Sequence, residues 1–343
     1  MKNFDAVIDL GWGSSGKGGI AGYLAMRKPY KSVVCAYGRQ AGHTYNNEEH
    51  GIHMMVQQLP VGIVSESVET IFIGPGAIIH PETLLAELDR YAELVAGKRL
   101  IIHEHAAIVT DKHAETEMSI GQTKMGSTGK GVGQAMINRI LRDPKGNGTA
   151  KQALVGTELE CFVASRFKYD KLLRHYLIKD EPQILIEGAQ GFGLSMYHGD
   201  YPYVTSRDVT PGQLFVDCAM PWQFYDQIKV IGVTRTRPIR VNNRDGFSGP
   251  CYSDQHELSW EEVGVEPEKT TVTQLERRIF SFSKEQLGHA GYMCLREGDE
   301  VALTFCDYID IEEFQKIKAA INSGSLLKYV VDGPDDSNVR MIS

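Results

Sequence analysis

Gly11-Trp12-Gly13-Ser14-Ser15-Gly16-Lys17-Gly18-Gly19 follows a short apolar run, Ala6-Val7-Ile8, and precedes a helical pattern from Ile20 to Met26. Strand, glycine turn and helix make the setting that a phosphate loop requires. Glycines let the backbone curl until its N–H groups face phosphate oxygens. The helix N-terminus adds partial positive charge, and Lys17 reaches a terminal phosphate. Gly11, Gly16 and Lys17 fit the G-x-x-x-x-G-K spacing, but Gly18 stands where a serine or threonine usually follows the lysine. One standard magnesium ligand is therefore missing. The plain alternative is a glycine-rich turn between a strand and a helix.

A chain of 343 residues is long enough for a large α/β unit. Its net charge of −8 argues against a nucleic-acid groove but leaves room for a local basic pocket. Apolar runs such as Ala77-Ile78-Ile79 are too short to cross a bilayer, so no membrane association is expected. The N-terminus enters a strand without the apolar core of a signal peptide. The six cysteines form no C-x-x-C pair. That predicts neither a disulfide framework nor a zinc site, and it favours a reducing cytoplasm.

Ser32 to Ala36 reads as the second strand, followed by a glycine-bearing turn, Tyr37-Gly38-Arg39-Gln40-Ala41-Gly42-His43-Thr44. A histidine at the end of a parallel strand is well placed for chemistry, although hydrogen bonding within the fold is the commoner use. Ile52 to Gln57 and Thr70 to Ile73 read as strands. Pro81 opens a helix with an apolar stripe at Leu84, Leu85, Leu88, Tyr91 and Leu94, and Gly97 stops it. Leu100 to His103 is the next strand. The triplet His103-Glu104-His105 lacks H-E-x-x-H spacing, and adjacent strand residues point to opposite faces, so it does not read as a metal site.

A second glycine loop, Gly126-Ser127-Thr128-Gly129-Lys130-Gly131-Val132-Gly133, is either another anion cradle or a flexible surface loop. Arg139 and Arg142 follow on a helical stretch. Gln152 to Leu177 reads as one or two helices. Ile184 to Glu187 is a buried-looking strand ending in Gly188-Ala189-Gln190-Gly191, and Ile228 to Thr234 is another, before a basic cluster of Arg235, Arg237, Arg240 and Arg244. Thr270-Thr271-Val272-Thr273 with Arg277-Arg278 could bind a carboxylate or phosphate, or be a solvated face. Val301 to Phe305, a helix from Ile311 to Ile321, and Leu326 to Val331 complete the pattern. With no repeat or linker, residues 1–343 read as one α/β unit with a mostly parallel central sheet and flanking helices.

Taken together, these motifs resemble the adenylosuccinate synthetase family. Trp12 to Gly18 resembles its W-G-D-E-G-K-G loop, Gln40-Ala41-Gly42-His43-Thr44 its N-A-G-H-T, and Gly126 to Gly131 its G-T-T-G-R-G. Glu187-Gly188-Ala189-Gln190-Gly191 and His198-Gly199-Asp200-Tyr201-Pro202-Tyr203-Val204-Thr205-Ser206 match two more. The resemblance runs through nearly the whole chain in order. It implies a fold related to the P-loop NTPases, a homodimer, Mg²⁺, and a ligase. In that family a triphosphate phosphorylates the 6-oxygen of IMP, and the amine of L-aspartate then displaces the phosphate.

Three departures from the family pattern bear on substrate. Ser14 stands where the family has an aspartate thought to accept the purine N1 proton and to ligate magnesium, and Ser15 replaces the following glutamate. A neutral serine is a poor base and a weak metal ligand. A guanine base carries a 2-amino group beside N1, for which the shorter hydroxyl makes room. The change resembles the phage-type branch of the family, which acts on dGMP on the route to diaminopurine DNA. Leu275 replaces an arginine that in the family approaches the ribose 2′-hydroxyl, which a deoxynucleotide lacks. In Thr304-Phe305-Cys306-Asp307, Phe305 replaces the lysine of the T-K-x-D run that reads the guanine of GTP. ATP or dATP is then expected as donor, with GTP less favoured.

Carried over by position, the donor triphosphate lies on Gly13, Ser15, Gly16, Lys17 and Gly18, with Gly42, His43, Thr44, Arg277, Asp307, Gly333 and Pro334 around it. The resemblance gives His43, Ser14 and Lys17 catalytic roles, and it places dGMP on Ser14, Gln40, Ser127, Thr128, Arg142, Gln190 and Thr205. Arg142 reaches the substrate of the neighbouring subunit. Aspartate is expected on Thr271, Val272, Thr273 and Arg277, and Mg²⁺ on the Gly42 carbonyl with Ser14 a weak ligand. The group that removes the N1 proton is left open. An ordinary adenylosuccinate synthetase acting on IMP with GTP, a P-loop kinase or ATPase, and a nucleotide-binding switch without ligase activity are the alternatives.

Overall fold

The computed structural model describes residues 4–120, 128–142, 148–178, 184–242, 247–269 and 274–342. Among the described residues, ten strands form one sheet. From edge to edge they are Val339–Met341, Leu326–Val331, Glu300–Thr304, Ile228–Arg235, Phe4–Asp9, Ile184–Glu187, Ser32–Cys35, Thr70–Ile73, Arg99–His103 and Val163–Ala164. All neighbours run parallel except Val339–Met341, which returns antiparallel beside Leu326–Val331.

Short apolar runs without polar alternation dictate a sheet covered on both faces. Phe4–Asp9, Ser32–Cys35, Thr70–Ile73 and Ile184–Glu187 are buried along their full lengths. Successive residues feed opposite faces. Val7, Val33, Cys35, Ile71 and Ile73 enter a core with Ile20, Tyr23 and Leu24 of the helix Lys17–Arg27. Ala6, Ile8, Val34 and Phe72 enter a second core with residues of the helices Arg166–Leu177, Lys284–Cys294 and Ile311–Asn322. Phe4–Asp9 lies near the middle, where the chain order reverses. In open α/β sheets the carboxyl ends of the strands at such a point form the ligand crevice.

Thr70–Ile73, Ile184–Glu187 and Leu326–Val331 stand where the sequence pattern puts them. The stretch up to Gly97 is the helix Pro81–Arg90 and a further turn, Ala92–Val95. Residues 152–177 divide into Ala150–Ala153 and Arg166–Leu177, with Val163–Ala164 between them. His43 differs from its reading as part of a turn. It opens a strand, His43–Asn47, that pairs antiparallel with Ile52–Val56. Polar residues conceal this strand, although His43, Tyr45 and Asn47 alternate inward. Arg235 and Arg240, read as part of a basic cluster, are buried. Among the described residues, no helix is long and apolar enough to cross a membrane.

The hairpin lies directly on the helix Lys17–Arg27. A Cβ on Gly18 would stand 2.5 Å from the Thr44 carbonyl oxygen, and one on Gly22 would enter the Tyr45 ring at 2.2 Å. The hydroxyl missing after Lys17 thus has a steric cause, because backbone occupies its place. Gly18→Ser is expected to cost about 1–3 kcal/mol of stability through overpacking. The loss should appear as a lower urea midpoint at unchanged slope. Gly19→Ser is the control, since a Cβ there meets nothing within 4 Å. Equal midpoints for the two variants would show that the hairpin is not seated on the helix.

Candidate active site

The phosphate loop is built from left-handed backbone. Gly13 has φ 88°, Ser14 53° and Gly16 81°. Glycine takes such angles freely, whereas a serine must be held there. Arg235 does so for Ser14, donating from Nη1 to its carbonyl oxygen at 3.0 Å and leaving the residue exposed. Thr304 Oγ1 donates to the Ser15 carbonyl at 2.9 Å. Lys17 is turned under the loop. Its Nζ lies 3.0 Å from Asp9 Oδ2, while Asp9 Oδ1 accepts the Gly11 N–H at 2.8 Å.

His43 packs edge-on against the Tyr37 ring at 4.4 Å between centroids. The Tyr37 hydroxyl donates to Glu187 at 2.7 Å, and Glu187 also accepts the N–H groups of Val61 and Gly62. His43 Nδ1 is buried with no partner among the described residues. Burial, aided by the Lys17 charge, lowers the His43 pKa to about 3. A neutral imidazole therefore stands beside the phosphate loop. The adjoining Gly42 is exposed, and a Cβ on it would meet nothing within 4 Å.

Asp9, Gln40, Gln190, Arg207, Asp208 and Asp217 line a cavity at the ends of the central strands. A Cβ on Gly191 would stand 2.3 Å from Gly13 N, so only glycine admits this approach. It sets Gln190, at φ 64°, beside the phosphate loop. Among the described residues, Gln40 Oε1 and Arg207 Nη2 are buried without partners. Arg207 Nη1 donates to the Ala36 carbonyl at 3.1 Å and to Asp217 at 3.2 Å. The Thr205 N–H donates to the Leu194 carbonyl at 2.7 Å, three residues beyond Gly191.

The second glycine loop is described from Thr128 onward. Glu117 accepts the N–H groups of Gly131 and Gly133 at 2.8 Å each, which fixes the start of the helix Val132–Leu141. Arg142 ends that helix, exposed and at φ 54°. Arg277 donates its N–H to the Glu268 carbonyl at 2.8 Å, and the Glu268 carboxylate pairs with Arg235 at 2.6 Å. Arg277 is thereby tied to the residue that holds Ser14. Phe305 lies under the Arg235 guanidinium, 3.7 Å from its carbon to the ring centre, two residues before the exposed Asp307. Asn46 donates to the Pro334 carbonyl at 3.3 Å, bringing Gly333-Pro334 to the hairpin. Ser127, Thr271, Val272 and Thr273 lie outside the described residues.

Among the described residues, no group of three His, Cys, Asp or Glu side chains could hold a metal ion. Glu104 of the His103-Glu104-His105 triplet is paired with Lys151 and Arg166. A hard cation of the Mg²⁺ kind keeps waters and substrate phosphates as ligands, with few from protein. The open surroundings of the Gly42 carbonyl and the exposed Ser14 hydroxyl fit that limited share. Asp9, Arg207, Asp208 and Asp217 are charged cavity residues that reading the sequence missed. For Asp9 the signal was a carboxylate closing a buried apolar strand, a position where a charge needs a partner.

The adenylosuccinate synthetase family model matches residues 6–169 and 151–334. The N6-succino-2-amino-2′-deoxyadenylate synthase of Acinetobacter phage SH-Ab 15497 is 39% identical, over 99% of this chain and 94% of its own length. An adenylosuccinate synthetase of Pyrococcus sp. (strain ST700) is 32% identical, over 90% of this chain and 85% of its own. Among solved structures, the succinoaminodeoxyadenylate synthetase of cyanophage S-2L, bound to dGMP and to dATP as an energy donor, superposes with a TM-score of 0.90. It is 38% identical and covers 99% of this chain and 95% of that one. Protonation of His43 tests the site's electrostatics. An NMR titration should find its imidazole neutral at every pH above about 5, and a midpoint near the ordinary histidine value of about 6.5 would contradict the burial.

Proposed function

This chain belongs to the adenylosuccinate synthetase family, and from that premise we propose that it is a carbon–nitrogen ligase joining L-aspartate to the 6-position of dGMP. The product is N6-succino-2-amino-2′-deoxyadenylate, a precursor of diaminopurine DNA. A nucleoside triphosphate drives the reaction through a 6-phosphoryl intermediate. Ser14 carries the reading. Its small hydroxyl is displayed from the loop that Gly191, next to Gln190, abuts, and a side chain shorter than aspartate makes room for the 2-amino group of guanine. The identity to the phage synthase exceeds that to the archaeal adenylosuccinate synthetase and supports the same choice.

Lys17 and the N–H groups of Gly13, Ser15, Gly16 and Gly18 hold the donor phosphates. The neutral His43 turns its free Nδ1 toward the phosphoryl oxygens as they gain charge, the kind of contact that accelerates transfer. Gln40, Gln190, Ser127, Thr128 and Thr205 bind dGMP. Thr271, Val272, Thr273 and Arg277 hold aspartate. Mg²⁺, when bound, neutralises phosphate charge, with the Gly42 carbonyl and the Ser14 hydroxyl as its protein ligands. ATP or dATP is the donor rather than GTP, because Phe305 offers no amine to a guanine base and already stacks on Arg235. Asp307, Gly333 and Pro334 border the donor base. Exposed Ile137, Ile140 and Leu141 next to Arg142 support a homodimer in which Arg142 reaches the partner's dGMP. The enzyme works in the cytoplasm, that of the host cell if the chain is phage-encoded.

Incubation with dGMP, L-aspartate, Mg²⁺ and dATP should give a succinylated product of the expected mass. Product from IMP but none from dGMP would mark an ordinary adenylosuccinate synthetase. Diphosphate released without aspartate would mark a kinase or ATPase, and binding without turnover a nucleotide switch. Ser14→Asp should shift the ratio of rates toward IMP and away from dGMP by about tenfold or more, the scale of one hydrogen-bonded discrimination. An unchanged ratio would remove Ser14 from substrate choice.

A further inference from the structure

We infer that Asp9 is the base that takes the N1 proton of the purine, and that the donor's phosphates release it for this task by drawing Lys17 away. The inference rests on the dGMP ligase reading. Phosphorylating the 6-oxygen of guanine makes a nucleophile of a lactam oxygen. That oxygen gains its charge only when the proton on N1 leaves. The loop residue Ser14 has a hydroxyl, which is a poor acceptor for it.

Three carboxylates line the cavity that holds Gln40 and Gln190: Asp9, Asp208 and Asp217. Asp208 accepts the hydroxyls of Ser195 and Thr210 and has His198 at 3.9 Å. Asp217 accepts Gln213 and Arg207. These partners are protein groups that already hold both carboxylates. Asp9 differs. Its side chain is fully buried, and its charged partner is Lys17, the charged side chain of the phosphate loop and one that a triphosphate also seeks. Asp9 thus stands between the donor loop and the purine cavity, a member of both.

A carboxylate has lone pairs for more partners than two, so the Gly11 N–H can remain bound while N1 donates. When phosphate draws Lys17 off, a buried charge is left without its counterion, which is costly. The N1 proton cancels that charge. The N1–H bond breaks and an O–H bond forms on Asp9. The freed electron pair passes through C6 to the 6-oxygen, which bonds to the γ-phosphorus, and the bond from γ-phosphorus to the bridging oxygen breaks to release nucleoside diphosphate. The base comes into play only after the donor has arrived.

The charged groups facing Asp9 are Lys17 from the helix and Arg207, Asp208 and Asp217 across the cavity, with neutral His43 beside Lys17. The test compares wild-type enzyme with Asp9→Asn on dGMP, L-aspartate, Mg²⁺ and dATP, from neutral to alkaline pH. Asp9→Asn should bind dGMP about as well as wild type while kcat falls about 10²–10⁴-fold, the usual contribution of a positioned base. The deficit should narrow as pH rises, because N1 then loses its proton unaided. A kcat within about threefold of wild type would overturn the inference. So would a loss confined to the dATP KM and constant with pH, which would make Asp9 a mere anchor for Lys17. If Asp9→Asn does not fold, Asp9→Ser keeps an acceptor for the Gly11 N–H and carries the same comparison. A wild-type enzyme that makes no succinylated product from dGMP would instead sink the ligase reading, and this inference with it.

Discussion

Lys17 and Asp9 form an ion pair with almost no exposure on either side chain. Burying two charges costs several kcal/mol each before their attraction repays it, and a broken pair is costlier still. The curl of the loop is the geometry that keeps the pair intact, since Asp9 also holds the Gly11 N–H. From this point the rest of the site is fixed outward. Arg235 grips Ser14, Thr304 grips Ser15, and Gly191 closes on Gly13. The cavity and the phosphate loop then share a wall, so donor and acceptor nucleotides would meet across a single buried carboxylate.

Backbone does much of the positioning. Gly18 and Gly22 let the hairpin press on the helix, and Gly191 and Gly193 let a second turn press on the loop. At each place a Cβ would collide with peptide or ring atoms. Glycine is usually read as freedom; here it permits a fit too close for any side chain. The result is a site whose candidate side chains, His43 and Gln190 among them, stand on segments locked to one another. Preorganisation of that kind raises the worth of each polar contact, because little must reorganise when charge develops.

Much of the fold could be read from the sequence because its strands are continuous apolar runs and its helices carry stripes. The glycine loops were visible for the same local reason. What stayed hidden depends on distant partners. His43–Asn47 is polar enough to pass for a turn until its pairing with Ile52–Val56 and its seat on the helix are known. Arg235 read as part of a basic cluster, yet it is buried between Phe305 and Glu268 and reaches the Ser14 carbonyl. Asp9 was not singled out, because no spacing rule joins it to Gln40 or Gln190. Ser14 was legible as an exchange of residue type, but its left-handed backbone needed the structure.

The sheet's two margins have a consequence of their own. A parallel sheet this wide offers unpaired N–H and C=O rows at both sides, which invite pairing with another chain. Here one side ends in the two-residue strand Val163–Ala164 and the other in Val339–Met341, reversed in direction and carrying the exposed Arg340. Neither presents a long flat template. The broad sheet therefore does not offer its margins as templates for another copy of the chain.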